Sequence, residues 1–377
     1  MGKIKTYKLG DIVNVLDYKR IPLSSTQRQN KKGIYPYYGA QGIIDYIDDY
    51  IFDGEYLLIA EDGENLKSQK QHVAQIAKGK YWVNNHAHIV ESNGLCDIRY
   101  VCYLLNRMDL SGYITGSAQP KLNQANLLKI EIKLPSLKEQ YKIAEFLHLF
   151  DDKIEINRRI NENLEQQAQA LFDFYFIKHP ETLGNCKSGN LIDIANYTNG
   201  LAMQRFRPWD SEKGIPVLKI KELGQGKIDS SSDVCNKNIP NEYIVNDGDI
   251  IFSWSGTLMV NVWCGGLCGL NQHLFKVTSD KYPKWYYYFW TKYHLGKFIR
   301  IAKDKAVTMG HIKRGDLETS EVLIPERETL LGLDKIISPI LNQIIGIKCE
   351  NNNLENLRDT LLPKLMSGEL KINDLSI

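Results

Sequence analysis

SAQPKLNQANLLKIEIKLP, residues 117–135, and VTMGHIKRGDLETSEVLIP, residues 307–325, decide how this 377-residue chain is built. Leu127 falls over Leu317 and Pro135 over Pro325, an offset of 190. Upstream, LGDIVN (Leu9–Asn14) meets LIDIAN (Leu191–Asn196) at 182, and NNHAHIV (Asn84–Val90) meets NQHLFKV (Asn271–Val277) at 187, with His86 over His273. An offset that grows in small steps is the mark of a duplication with loop insertions, and a period this long is far beyond a solenoid repeat. The chain is expected to hold two copies of one domain, as its length also suggests.

A long helical stretch follows each Pro. Leu147, Phe150, Ile154, Asn157, Asn161, Leu164, Ala168, Leu171 and Tyr175 alternate spacings of 3 and 4, and Ile337, Ile340, Ile344, Ile347, Asn351, Leu354, Arg358, Leu361 and Leu365 repeat the pattern 190 residues later. Sustained spacing of this kind is the heptad signature of a coiled coil. The seam looks too narrow to cover a domain core, so the two helices are expected to pair with each other. Asn161 and Asn351 take equivalent seam positions, where a buried Asn fixes register at some cost in stability. Roughly 37 helical residues span about 55 Å. The globular parts read as mixed α/β, with Gly-punctuated strands such as EYLLIA (Glu55–Ala60) and GDIIFSWSGT (Gly248–Thr257). The aromatic run WYYYFWTKYH (Trp285–His294) is expected in the core.

Composition narrows the class. Apolar residues make up 43% and charged residues 24%, and no run of about 18 apolar residues is apparent, so a soluble protein is expected. No signal peptide is expected before Lys3, and MGKIKT matches only a loose myristoylation pattern. Seven cysteines, an odd number, suit reduced thiols in a cytoplasm. Neither Cys264 with Cys268 nor His86, His88, Cys96 and Cys102 gives the two close pairs of a structural zinc site, so no metal is expected. The net charge is only +2, yet residues 1–35 carry +6 and residues 281–314 carry +8, which suits phosphate contact at two places. Parts of an active site are missing. No methyl-donor loop or phosphate-binding GxxxxGK[ST] occurs, and GQGKI (Gly224–Ile228) fails on spacing. Asp109, Glu131 and Lys133 faintly resemble a metal-nuclease set, but the second copy has Leu323 where the first has Lys133. Glu131 and Lys133 are better placed on a strand's solvent face, with Ile130, Ile132 and Leu134 inward. The chain is expected to be non-catalytic, with no cofactor of its own.

LGDIVNV, VNNHAHIV, GSAQPKLNQANLLKIEIKLPSLKEQYKIAEFL, DDKIEINRRINENLEQQAQALFDFYF and LRDTLLPKLMSGEL, in that order, resemble the specificity subunit of a type I restriction-modification system over essentially the whole chain. The resemblance implies an α+β fold with two target-recognition domains, 1–136 and 180–326. Two spacer helices, 137–179 and 327–377, would pair antiparallel with pseudo-two-fold symmetry. Each domain would read one half of a bipartite duplex site, and the helices would set the unread gap. Two modification subunits using S-adenosylmethionine would dock, and ATP-driven restriction subunits could join. Candidate DNA contacts are Arg28, Lys31, Lys32, Gln41, Ser117, Gln119 and Lys121 in the first half. In the second they are Lys219, Lys221, Ser253, Ser255, Thr257, Lys305, Thr308 and Lys313. Lys31 and Lys32, in the polar loop TQRQNKKG, suit phosphates; Gln119 suits adenine, or else braces the turn before Pro120. One departure stands out: Glu139-Gln140 becomes Thr329-Leu330 in the second copy. Rival readings are a stand-alone nuclease or methyltransferase, and a coiled-coil assembly protein without DNA.

Overall fold

The computed structural model describes residues 4–68, 71–116, 119–209, 213–304 and 311–372. It divides into two compact units, Met1–Asp151 with Leu357–Ile377, and Asp152–Asn356.

In the first unit six strands form one sheet, in the order Val13–Val15, Ala87–Ser92, Phe52–Ala60, Ala74–Val83, Lys32–Gly39, Gly42–Ile47. Neighbours run antiparallel except Lys32–Gly39 beside Ala74–Val83, where Tyr37 faces Trp82 in parallel. The strand Phe52–Ala60 is buried on both faces: Leu57 and Ile59 join the core under helix Ile98–Leu105, and Leu58 packs with Ala77 and Tyr81 on the other side. Lys5–Lys8 pairs with Glu131–Leu134, in which Glu131 and Lys133 are exposed and Ile132 and Leu134 buried. The solvent-face reading of Glu131 and Lys133 therefore holds.

The second unit repeats this plan with two strands broken. One four-stranded sheet runs Asn196–Asn199, Leu274–Thr278, Ile250–Ser253, Met259–Val262, and another Val234–Cys235, Ile215–Leu218, Cys268–Leu270, Ile244–Val245. Joining Ile244–Val245 to Ile250–Ser253, and Met259–Val262 to Cys268–Leu270, restores the strand order of the first unit. Val217 facing Gly269 in parallel is the counterpart of Tyr37 facing Trp82. In the first unit Gly54 and Gly79 oppose each other at this place, both with positive φ. Such glycines weaken and kink a sheet. In the second unit Gly248 (φ 86) and Gly266 (φ 87) lie in the gaps, and the Gly248 N–H to Trp263 O bond of 2.7 Å still ties the broken strands together.

WYYYFWTKYH lies in helix Lys284–Asp304, and Trp285 through Trp290 are buried in the core of the second unit. Cys264 and Cys268 are buried free thiols.

The first long helix is Leu137–Phe172, extended by a π-helical turn at Asp173–Lys178, and the second is Arg327–Ser367. Ser136 and Glu139 cap the first: the Ser136 N–H donates to Glu139 Oε2 at 3.3 Å and the Glu139 N–H to Ser136 Oγ at 3.4 Å. Within the second unit the helices run antiparallel. Asn351 donates to Ile154 O at 3.2 Å, Asn157 to Asn351 Oδ1 at 2.8 Å, and Asn161 to Ile344 O at 3.4 Å. The seam Asn residues are thus buried and bonded across the pair. Within the first unit Leu147 shares a core with Leu362 and Leu365, and Arg358 pairs with Asp151 at 2.5 Å.

One expectation needs correction. The helices do not merely pair with each other, because residues beside the seam widen the apolar face. Leu330, Leu333 and Leu341 enter the core of the second unit together with the seam residue Ile337, and Ile143 and Ala144 enter that of the first. Arg327–Ser367 is long and apolar enough, by length and composition, to cross a membrane, although Asp334 and Lys335 interrupt its apolar stretch. Its buried positions nevertheless face protein: Leu330, Leu333, Ile337 and Leu341 pack beside Trp285–Trp290. The Glu139-Gln140 departure has a local explanation. Buried Gln140 accepts the Asp97 N–H at 3.0 Å and donates to Pro135 O at 3.0 Å, whereas Leu330 fills apolar core.

Candidate nucleic-acid interface

A single backbone junction occurs in both units. In the first, the Leu122 N–H donates to Glu61 O at 2.8 Å, and Asp62 bridges Lys121. In the second, the Ile312 N–H donates to Trp254 O at 2.9 Å, and Ser255 bridges His311. The third segment is a turn. Buried Asn84 caps the His86 N–H at 2.8 Å, and buried Asn271 caps the His273 N–H at 3.3 Å. The Asn84 N–H in turn donates to Tyr38 O at 3.0 Å, and that of Asn271 to Leu218 O at 3.2 Å. Main-chain bonds and a buried amide hold each turn, so its exposed side chains project from a fixed base.

The frame is shared, but the side chains around it differ. In the first unit it is a charge network. His88 Nδ1 lies 2.6 Å from Asp17 Oδ2 and Nε2 lies 2.7 Å from Leu122 O. Arg20 joins Asp17 at 3.2 Å and Glu61 at 2.7 Å, and Lys121 reaches Glu61 at 3.2 Å. Asp17, Glu61 and His88 lie close enough together to hold a metal ion, but they do not fit one. Arg20 and Lys121 already neutralise the carboxylates, and both ring nitrogens of His88 are engaged. In the second unit the surroundings are aromatic: the Trp254 ring lies 6.0 Å from that of His273, 6.1 Å from that of His311 and 5.7 Å from that of Phe275.

This network makes the first unit acid-sensitive. Burial pushes the Asp17 carboxyl up, but the His88 bond, the Ile89 N–H and Arg20 outweigh it and hold the group below its ordinary value. Glu61 is likewise lowered: burial opposes, and Arg20, His88 and Lys121 prevail. Depressed folded-state values mean stability that is present above the unfolded range and lost as pH falls through the folded one. The unfolding temperature of the first unit should stay level from about pH 7 to 5 and drop below about pH 4, measured by circular dichroism across pH.

Several sequence candidates lie at the junctions. Lys121 and Ser255 belong to them directly, and exposed Gln41 lies beside Gly63. Thr115 and Lys121 exchange backbone bonds of 2.8 and 2.7 Å around a tight turn. A Cβ on Gly116 (φ 85) would lie 2.2 Å from Gln119 O, so the turn requires glycine. The side chain of Gln119 is exposed, as are those of Thr257 and Lys313. Ser117, Lys305 and Thr308 lie outside the described residues.

Other candidates are braces. Ser253 is fully buried and donates to Ser255 O at 3.1 Å, so the expected surface contact is corrected to an internal one. Arg28 is mostly enclosed, pairing with Asp45 at 3.2 Å and stacking over Tyr37 at 5.2 Å. TQRQNKKG is not a plain loop. Ser25–Gln29 is helical, Lys32 opens a strand, and the cations pair, Lys31 with Asp48 at 3.4 Å and Lys32 with Asp45 at 2.6 Å. Lys219 pairs with Asp233, and Lys221 with Asp229 at 2.8 Å. Exposed pairs of this kind are weak, so a phosphate could displace the carboxylate. The sequence candidates also omitted the turn tips, Asn85–His86 and Gln272–His273. The repeat NNHAHIV/NQHLFKV carried their signal but served only to set the register.

The family model described as type I restriction modification DNA specificity domain matches residues 1–166 and 185–358. The chain belongs to that family. As a specificity subunit it carries two target-recognition domains, which are the two copies of the frame. A type I restriction enzyme specificity subunit of Methanocaldococcus jannaschii is 29% identical, over 80% of this chain and 75% of its own. A putative type I restriction enzyme specificity subunit of Haemophilus influenzae is 34% identical, over 39% of this chain and 37% of its own. The solved S subunit of the type I restriction-modification system from M. genitalium has the same fold, with a TM-score of 0.62 over 97% of this chain and 96% of that one at 15% identity.

Proposed function

We propose that each recognition domain reads one half of a bipartite duplex site through its junction, and that the paired long helices set the unread gap. One observation carries this reading: the same hydrogen-bonded frame occurs twice and presents charged groups once and aromatic groups once. A scaffold that binds two different sequences in one manner needs both features. The chain would act in the cytoplasm without catalysis of its own. It would dock two modification subunits that use S-adenosylmethionine to methylate adenine, with ATP-driven restriction subunits as further partners.

Purified chain should bind duplex DNA with an affinity that falls linearly on a logarithmic salt scale. Binding that ignores salt, or none, would favour a pure assembly protein. Deleting residues 157–163 with the facing 345–351 removes one heptad from each helix, about 10 Å. That should shorten the gap by roughly 3 bp and leave both half-sites unchanged.

A further inference from the structure

The turns at Asn85–His86 and Gln272–His273 are the same device built twice. Asn85, His86 and His273 are exposed and Gln272 is half-buried, and each tip stands on a buried Asn, Asn84 or Asn271. Each imidazole is held through the same nitrogen by the same neighbouring loop: His86 Nδ1 lies 2.7 Å from Asp62 Oδ2, and His273 Nδ1 lies 3.1 Å from Ser255 Oγ. Fixing Nδ1 fixes the ring and leaves Nε2 on the opposite edge; in the second unit the Gln272 side-chain nitrogen lies 3.3 Å from that edge and has to turn aside for a ligand. The holding residues differ, as do their neighbours Glu61 and Trp254, and Lys121 and His311. The histidine is the same in both, and an amide side chain, Asn85 or Gln272, precedes it in each.

What two domains share should serve what their two targets share. Different half-sites have different base edges but the same sugar–phosphate backbone. We propose that His86 and His273 are matched phosphate contacts, one per half-site, each presenting Nε2–H to a backbone oxygen with Asn85 or Gln272 beside it. The differing residues of the frame are then left to read bases. The assignment rests on the DNA-recognition reading above. At His86 the Asp62 carboxylate accepts Nδ1–H, so a ring that also donates through Nε2 is an imidazolium; at His273 the Ser255 hydroxyl can donate to Nδ1, so the neutral ring already presents Nε2–H. The charged or titratable groups nearby are Asp62, Glu61, Arg20 and Lys121 in the first unit and His311 in the second.

The test uses the full chain with its methylated target duplex and a scrambled duplex, at several salt concentrations. His86→Ala and His273→Ala should each weaken binding to both duplexes by about tenfold at low salt, and His86→Ala should also lower the salt slope by about one unit. The double variant should weaken both duplexes by about a hundredfold, with the slope lowered as in His86→Ala. His86→Gln and His273→Gln keep a neutral donor and should recover part of the affinity, His86→Gln without recovering the slope. Methylation in cells should fall in amount while keeping its sequence. Relaxed preference at one base of a half-site would overturn the assignment in favour of base reading. So would unchanged affinity and slope in variants that unfold at the parental temperature. If the unsubstituted chain itself fails to bind duplex, the DNA-recognition reading fails first and the assignment with it.

Discussion

Arg20→Ala will destabilise the first unit by about 2–3 kcal/mol and loosen the His86 turn. The guanidinium is mostly enclosed and donates to Asp17 O at 3.2 Å, Glu61 Oε2 at 2.7 Å, Ala87 O at 2.9 Å and Asn85 O at 3.4 Å, besides its ion pair with Asp17. Stranding one member of a buried ion pair costs about 3–5 kcal/mol. Here Lys121 and His88 remain beside the carboxylates and water has partial access, so the loss is set lower. Arg20→Lys should restore little, because a point charge on a flexible stem cannot reach four acceptors at once. Hydrogen exchange in Phe52–Ala60 and Ala87–Ser92 is the readout. Protection that matches the parent chain would show that the network is ornamental.

Phe172→Ala will cost the second unit about 3–5 kcal/mol. Phe172 is fully buried at the end of the first long helix, its ring 5.1 Å from Phe176, 5.2 Å from Trp290 and 5.5 Å from Phe289. The π-helical turn that follows keeps Phe172 and Phe176 in one cluster, so the helix end is anchored by rings rather than by a cap. Five of the six tryptophans, all but Trp82, lie in the second unit, so tryptophan fluorescence in denaturant follows this loss directly. Phe172→Leu, which keeps most of the volume, should cost less than about 2 kcal/mol. Equal losses for the two variants would mean that ring packing contributes nothing beyond size.

The duplication and the long helices were legible because both depend on period. Offsets between copies survive divergence, and the 3-4 spacing names the buried face at Leu147, Ile154, Ile337 and Ile344. The strand Glu131–Leu134 was legible for the same reason, as strict alternation. Period is silent about width, so the seam seemed too narrow to serve a domain core until Leu330, Leu333 and Leu341 were found beside it. The broken strands of the second unit were hidden because Gly248 and Gly266 carry no local pattern to show that the pieces rejoin across the gap.

The candidate site was legible in part. Composition nominated loops rich in Lys, Gln and Ser, which located the Gly116–Lys121 turn and Ser255. It could not tell a ligand contact from a brace. Ser253 and Arg28 have suitable chemistry but are enclosed, because burial depends on neighbours distant in sequence. Asn85 and Gln272 were missed for the opposite reason. Their place at the tip follows from a turn whose capping Asn is itself buried, and the repeat NNHAHIV/NQHLFKV marked the turn without marking which of its residues face outward.

Methylome sequencing of a host with and without this chain, its modification subunit present in both, tests the central claim most directly. The account predicts one methylated motif that appears only with the chain and consists of two defined halves around an unread gap. An unchanged methylome, or a single contiguous motif, would contradict it.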